Sequence, residues 1–480
     1  MLNEPSAALL DELKAALGPS GWRAPEDAPA FFEEPRGRGR GAAALVLRPA
    51  STEEVAEAVR LCARARVGVV PYGGGTGLVG GQLSDATPRP VVLSLDRMAR
   101  IRQVAPEAEA MEAEAGAILA DVRAAAERAD RLFPLMLASW GSARIGGLLA
   151  TNAGGLNVLR YGVARDLVLG VEAVLPDGTV LRDLKTLRKD NTGFDVGRLL
   201  IGAEGALGVI TAATLKLFPR PAESATAFCA VPSPAAAAAL LRRLRGALAE
   251  MVSAFELIDG VVAGFLEEAL GADAPPVPLK ARWLALAEVE GGAGSGVGAA
   301  LEAALADALE AGEVEDAALA QSEAQRTAFW RVREEIPEAN RRIGAVASHD
   351  VSLPLDRIPE FVERGQAAVA AIEPRLRVAA FGHLGDGNLH YNMFPPERTP
   401  ASAFRACAPA LTRATHDLTH EMGGSISAEH GIGRLKAADL VRYGDPGKLA
   451  AMRAIKRALD PLGIMNPGAV LQAVPSAPPE

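Results

Sequence analysis

Between Ala42 and about Pro221, short β-branched runs alternate with glycine clusters: ALVLRP, VGVVPYGGG, PVVLSL, GVEAVLPDGTVL and GALGVITAATLKLFP. Apolar runs bounded by turn residues predict strands. Between two of them, TEEVAEAVRLCARA sets Val55, Ala58, Val59 and Cys62 at helical spacing. Residues 41–221 therefore read as one domain of mixed helix and strand, after an N-terminal helical segment (1–40) that runs into loop. Beyond Pro221 the glycines thin out. SATAFCAVP reads as a strand, residues 233–250 as an alanine-rich helix, RWLALAEVEG as a strand and GVGAALEAALADALEAG as a helix. SEAQRTAFWRVREEIPEANRRI reads as one helix, VASHDVSLPL as a strand, and another helix follows. That alternation predicts a second, α/β domain over residues 222–422. Residues 423–480 form a C-terminal segment, and AVPSAPPE at its end reads as a disordered tail.

Length and composition fit this division. A chain of 480 residues exceeds one ordinary core, and 49% apolar with 23% charged residues is a globular profile. The net charge of −9 argues against nucleic acid as a partner. PRGRGRG (35–41) is basic but glycine-broken, and reads as a solvated loop. Neither a basic-then-apolar leader nor an apolar run of about 18 residues is present, so no integral membrane segment is expected. Cys62, Cys229 and Cys407 lie far apart among small residues, which suggests buried thiols and a cytoplasmic location.

GTGLVG (75–80) matches the dinucleotide-binding glycine pattern literally. That pattern must open a helix. Here GQLSDATPRP and another strand follow, so a nicotinamide Rossmann loop is not expected. The bare amides of Gly73, Gly74, Gly75, Thr76 and Gly77 can instead form an anion nest, and phosphate is the usual occupant. WGSARIGGLLATNAGGLNVLRYG (140–162) interleaves glycines with Ser142, Thr151 and Asn152, which suits close approach to a planar ring. IGAEGALGVIT (201–211) repeats the style.

PYGGGTGLVGG, ATNAGG with LRYG, DNTGFD and IGAEGALGVIT, with the closing LDPLGIMNPGAVL, occur in an order that resembles the vanillyl-alcohol oxidase / p-cresol methylhydroxylase family. Within it the chain is most similar to the D-2-hydroxyacid dehydrogenase branch, which includes the FAD-bearing subunit of glycolate oxidase. The resemblance runs from about residue 40 to about 472. It implies an α+β fold: a two-lobed FAD-binding domain (41–221), a ferredoxin-like substrate or cap domain (222–422), and a segment returning to the FAD domain. It implies FAD as cofactor, with the 73–81 loop on its pyrophosphate and Ser142, Gly146, Thr151, Asn152, Gly155, Gly205, Ile210 and Asn466 near it. Some relatives attach FAD through a histidine; this chain has none before His349, so its FAD is expected to be non-covalent. Where relatives read NPGK, this chain has Ala469.

GHLGDGNLH (382–390) carries two of the six histidines. Asp386-Gly387 reads as a two-residue hairpin turn. That turn sets His383 opposite His390 on one face, with Cβ atoms about 4.5–5.5 Å apart, and turns Asn392 the same way. Two imidazoles so placed can share a cation. SISAEHGIGRLK adds Glu429, making a His₂Glu set of the kind that leaves a position open for substrate; zinc, manganese or iron would accept it. The resemblance implies a divalent metal, and His383, His390 and Glu429 stand at the matching positions. His349, His416 and His420 read as structural.

The expected chemistry is hydride transfer from the α-carbon of a small 2-hydroxyacid to FAD, with the metal lowering the pKa of the hydroxyl. His430 is the candidate base, and Asn392 joins the catalytic set. FWRVREEI offers Arg331 and Arg333 for the substrate carboxylate, and the resemblance selects Arg333. Ser348 and Pro337 replace a lysine and a threonine that help hold a dicarboxylate in hydroxyglutarate-type relatives, leaving a smaller or less charged acid open. The electron acceptor would be a quinone or an electron-transfer protein, and a homodimer is open. Two other readings remain: a flavin-free His₂Glu metallohydrolase, and a flavoprotein subunit acting only within a complex.

Overall fold

A computed structural model describes residues 1–471 apart from Pro35, Arg36, Arg38, Pro276 and Leu279. The tail AVPSAPPE and part of PRGRGRG lie outside the described residues. The chain forms two compact units: Met1–Gly154, Val163–Pro219 and Glu429–Glu480 make the first, Gly155–Gly162 and Arg220–Ala428 the second. The N-terminal segment is part of the first unit's core rather than a separate body, because Leu9, Leu13 and Leu17 pack into the cluster that holds Val55, Val59 and Cys62. Among the described residues no helix is long and apolar enough to cross a membrane.

The first unit contains two larger sheets. In one, Val69–Tyr72 and Val46–Leu47 flank Val91–Ser94 in parallel, and Trp22–Arg23 adds an antiparallel edge. Ser51 caps the helix Thr52–Ala65 by accepting from the N–H of Glu54. No helix occurs in residues 73–90, so the glycine loop after Val69–Tyr72 opens no crossover. The other sheet is antiparallel and five-stranded, with Val209–Lys216 at its centre. The chain's last segment pairs back onto the first sheet: the N–H of Val69 donates to Ile464 O, and that of Asn466 to Val69 O, both at 2.8 Å.

The second unit is one seven-stranded sheet. Its spatial order is Asp316–Leu319, Glu223–Val231, Trp283–Gly291, Val252–Asp259, Arg377–Gly382, Asn388–Phe394, Ala347–Ser352. Every pairing is antiparallel, a register that the alternation of strands and helices did not specify. The alternation of strand and helix is real, but each crossover helix joins parallel strands that are not neighbours. Glu223–Val231 crosses through the helix Pro234–Leu248 to Val252–Asp259, and Trp283–Gly291 slots between them. Ala347–Ser352 crosses through Ile358–Ile372 to Arg377–Gly382, and Asn388–Phe394 slots between them. Two split β-α-β units thus share one sheet, the ferredoxin-like arrangement. They meet where Leu257 and Ile258 pair with Gly382 and Phe381.

Helices cover both faces. Pro234–Leu248, Val297–Glu310, Ile358–Ile372 and Ala408–Glu421 pack on the face that carries Leu257, Leu389 and Tyr391. The helices Gly260–Leu270, Glu323–Glu334 and Ile336–Ile343 cover the face that carries Ala254, Ile258, Phe381 and Phe394. The single helix expected over 322–343 breaks at Glu335, because Pro337 takes the second position of a new helix.

Asp259 ends the strand Val252–Asp259 and caps the helix Gly260–Leu270, accepting from the N–H of Val261 at 3.0 Å. Burial pushes its carboxyl up from 3.8 to about 6. Since the folded pKa lies above the unfolded one, Asp259 costs stability as pH rises through about 6. Asp259→Asn keeps the cap, so it should raise the unfolding midpoint at pH 8 by the equivalent of up to about 3 kcal/mol. The gain should shrink as pH falls towards 5. Denaturant titrations at the two pH values check this; a gain independent of pH would contradict it.

Candidate functional site

The histidine hairpin differs from the two-residue turn that Asp386-Gly387 suggests. His390 stands opposite Phe381, not His383. The first strand stops at Gly382 (φ 154°), Leu384–Asp386 form one turn of 3-10 helix, and Gly387 closes it at φ 85°. The cause is local. Asp386 Oδ1 accepts from the N–H of Asn388 at 3.1 Å, and the same N–H reaches His383 O at 3.1 Å, so the carboxylate draws the chain into a wider loop. The two imidazoles still come together, with ring centroids 5.9 Å apart and planes at 77°.

His383 finds its cross-strand partner on the other side. Leu257 pairs with Gly382 and Ile258 with Phe381; continuing that register brings Glu256 opposite His383. Glu256 Oε1 lies 2.5 Å from His383 Nδ1, and Arg333 Nε donates to Glu256 Oε2 at 2.5 Å. Glu256 is wholly buried and Arg333 is 5% exposed. Burial opposes the charge on Glu256, but His383 and Arg333 together outweigh it and hold the carboxyl down at about 2. The Arg333 guanidinium lies over the Phe381 ring, 5.1 Å from its centroid. Arg331 turns outward and donates to Asp273 O at 2.9 Å, so the structure separates the two arginines of FWRVREEI. Glu256 was not foreseen from the sequence.

On the same face, His390 Nδ1 lies 3.6 Å from Asp350 Oδ1, which also accepts from Asn388 Nδ2 at 2.9 Å. Asn392 is buried, and its amide oxygen accepts from the main-chain N–H of His349 at 3.1 Å. Ser348 and Pro337 are exposed. The His349 ring faces the opposite side, its Nδ1 2.8 Å from Tyr391 O and its Nε2 3.2 Å from Thr412 Oγ1, and packs edge-on against His416. His420 lies in the last turn of the helix Ala408–Glu421. Ala428 donates to Asp350 O at 3.2 Å, and Glu429 and His430 follow it, half-buried, as the chain enters the first unit.

A metal would fit the donor set of the second unit. A carboxylate can only accept, so Glu256 requires the proton of His383 on Nδ1 and leaves Nε2 as the donor atom. A structural ion pair alone would give no reason for a second imidazole with its own carboxylate beside it.

In the first unit glycines of three small-residue stretches lie where an added Cβ would collide with a neighbour, and the first two stretches meet backbone to backbone. A Cβ on Gly74 would lie 2.4 Å from Ser142 O, one on Gly73 3.0 Å from the Cα of Gly147, and one on Gly146 2.7 Å from the Cβ of Ala115. Gly205, at φ 73°, would meet Pro71 at 2.9 Å. Gln82 Nε2 donates to the carbonyls of Gly75 and Gly77, while the N–H groups of Gly73, Gly74, Gly75, Thr76 and Gly77 have no protein acceptor among the described residues. That is the cradle an anion would fill.

Asn466 ties the cradle to the C-terminal segment. Its Nδ2 donates to Gly81 O (3.0 Å) and Glu204 O (2.7 Å), and its Oδ1 accepts from Arg434. Glu204 accepts from the N–H groups of Ile432 and Gly433 at 2.7 and 2.8 Å. Thr151 and Asn152 spend hydrogen bonds on the fold, to Gly147 O and from the N–H of Arg165. Ser142 is exposed, Ile210 is buried in Val209–Lys216, and Gly155 falls in the second unit. Ala469 is buried; the cations beside its turn are Arg434, which donates to Pro467 O, and Lys456, which donates to Met465 O.

Comparison with known proteins agrees with this architecture. Residues 43–183 match the FAD binding domain family model, and residues 220–470 match the C-terminal domain of FAD linked oxidases. The mitochondrial D-2-hydroxyglutarate dehydrogenase of Bos taurus is 39% identical over 89% of this chain and 77% of its own length. The D-2-hydroxyglutarate dehydrogenase of Xanthomonas citri pv. viticola is 36% identical over 88% of each chain. The solved structure of p-cresol methylhydroxylase superposes with a TM-score of 0.75 at 16% identity, covering 97% of both chains, which shows the shared fold. FAD is the cofactor such domains hold, and a flavin-free hydrolase is set aside. The chain belongs to the FAD-linked oxidase family, in its D-2-hydroxyacid dehydrogenase branch.

Proposed function

We propose that the protein oxidises a D-2-hydroxyacid to the 2-oxoacid, using non-covalent FAD and a divalent ion, zinc in the first instance, held by His383, His390 and Glu429. The observation that carries the reading is the buried His383–Glu256–Arg333 line beside His390: an imidazole primed to ligate, joined through one carboxylate to a buried arginine. FAD, when bound, takes up the two electrons and the hydrogen of the α-carbon, and the ion draws charge from the hydroxyl oxygen.

The remaining work falls to side chains. With Nε engaged by Glu256, Arg333 has its two terminal nitrogens to offer the substrate carboxylate as a fork. Asn392, its oxygen committed to His349, can present only its NH₂ group. His430 takes the hydroxyl proton, a role open to the imidazole next to a ligand rather than to the ligands themselves. Ser348 supplies no cation and Pro337 no hydroxyl at the two positions where hydroxyglutarate-type relatives hold a second carboxylate, so a monocarboxylic hydroxyacid suits the site better. Buried free thiols at Cys62 and Cys229 support a reducing, cytoplasmic setting; Cys407 is half-buried.

Anaerobic mixing with matched D- and L-2-hydroxyacids tests the reaction: the D series should bleach the flavin, and bleaching by the L series alone would contradict the proposal. His430→Ala should retain FAD and slow bleaching by about 10²–10⁴-fold; a rate near wild type would remove His430 as base. Gly74→Ala, which forces a methyl onto Ser142 O, should leave the purified protein with much less than one flavin per chain by absorbance. Full flavin content in this variant would mean that the 73–77 loop does not seat the cofactor.

A further inference from the structure

We propose that Glu256 is a positioning residue that sets the metal centre and the substrate-carboxylate site together, by fixing His383 as an Nε2 donor with one oxygen and aiming Arg333 with the other. The inference rests on the metal reading above and adds a residue to it. Its basis is geometric. Both oxygens are used, Oε1 by His383 Nδ1 and Oε2 by Arg333 Nε, each at 2.5 Å. The register of Val252–Asp259 against Arg377–Gly382 puts Glu256 opposite His383, so a rigid strand, not a loop, sets the imidazole's position. Arg333 is held from a third side by the Phe381 ring. Phe381 also packs on His390, with centroids 4.9 Å apart, so the same aromatic side chain touches the arginine and the second imidazole.

Glutamine in place of Glu256 has nearly the same shape but only one acceptor. If its oxygen keeps Arg333, its NH₂ faces His383 Nδ1, which must then accept. The ring proton moves to Nε2, and the donor atom is lost. If its oxygen keeps His383, the NH₂ meets Arg333 Nε, donor against donor, and the arginine swings away.

The test uses FAD-loaded enzyme stripped of metal and titrated with Zn²⁺ against a competing chelator. E256Q with wild-type flavin content should bind Zn²⁺ about 10–100-fold more weakly than wild type. At saturating Zn²⁺ its kcat should recover while its KM for the hydroxyacid stays raised by roughly tenfold; a general loss of structure would lower both together. Wild-type Zn²⁺ affinity in E256Q would overturn the role of Glu256 while leaving the metal reading intact. No specific Zn²⁺ binding by wild type, or equal binding by His383→Ala, would overturn the metal reading itself. A measurement on wild type covers the case in which E256Q does not fold. In the metal-free enzyme, the ¹⁵N signals of His383, identified by their loss in His383→Gln, should show the proton on Nδ1. A proton on Nε2 alone would refute the proposal.

Discussion

A carboxylate wholly removed from water inside a sheet survives as a charge only if its surroundings return what hydration would have given. Glu256 receives that from Arg333 and His383, and removing one partner of such a group typically costs about 3–5 kcal/mol. The constraint reaches outward from there. It requires the helix Glu323–Glu334 to lie on the face of the sheet that Glu256 points to, and it requires the hairpin to bring His383 back to the edge of Val252–Asp259. The seam between the two split β-α-β units passes through this point, with only Leu257–Gly382 and Ile258–Phe381 as paired neighbours. One buried ion pair therefore coincides with the join of the sheet and with the proposed site.

The two units divide the work by residue type. The first is built around contacts that only glycine allows, where a single added methyl at position 74 or 146 would collide with backbone or with a buried alanine. Charge there is spent on holding loops: Glu204 on the amides of Ile432 and Gly433, Arg434 on the carbonyls of Gly80 and Gly81. In the second unit Glu256, Phe381, His390, Asn392 and Asp350 share one face of the sheet, while Arg333 comes from the helix Glu323–Glu334 and His383 from the turn after Gly382. Strand-borne side chains hold their geometry better than loop-borne ones, which suits the fixed placement of Glu256, His390 and Asn392.

Some of this was legible in the sequence. The glycine-rich stretches announce close backbone approach, because few other uses require so many bare Cα positions in a row. The failed helix after GTGLVG was readable from its prolines. Glu256 was not. The strand VSAFELID is covered on both faces, with Leu257 in one core and Ile258 in the other, so it lacks the alternation that marks a half-exposed strand. Its polar residues Ser253, Glu256 and Asp259 recur every third position and resemble neither a strand nor a clean helix. The hairpin misled for another reason: an Asp-Gly pair suits a tight turn, but the Asp386 side chain can itself capture an amide and widen the loop. The alternation of strand and helix in the second domain was legible, but which strands become neighbours was not, because alternation of elements says nothing about pairing.

The central claim is that a metal ion sits on His383 and His390. Anomalous diffraction from FAD-loaded crystals, collected on both sides of the zinc, iron and manganese edges, tests it most directly. The account predicts one peak, about 2.0–2.1 Å from His383 Nε2 if the metal is zinc, and within bonding reach of a ring nitrogen of His390. Crystals with full flavin occupancy and no anomalous peak at these imidazoles would contradict it.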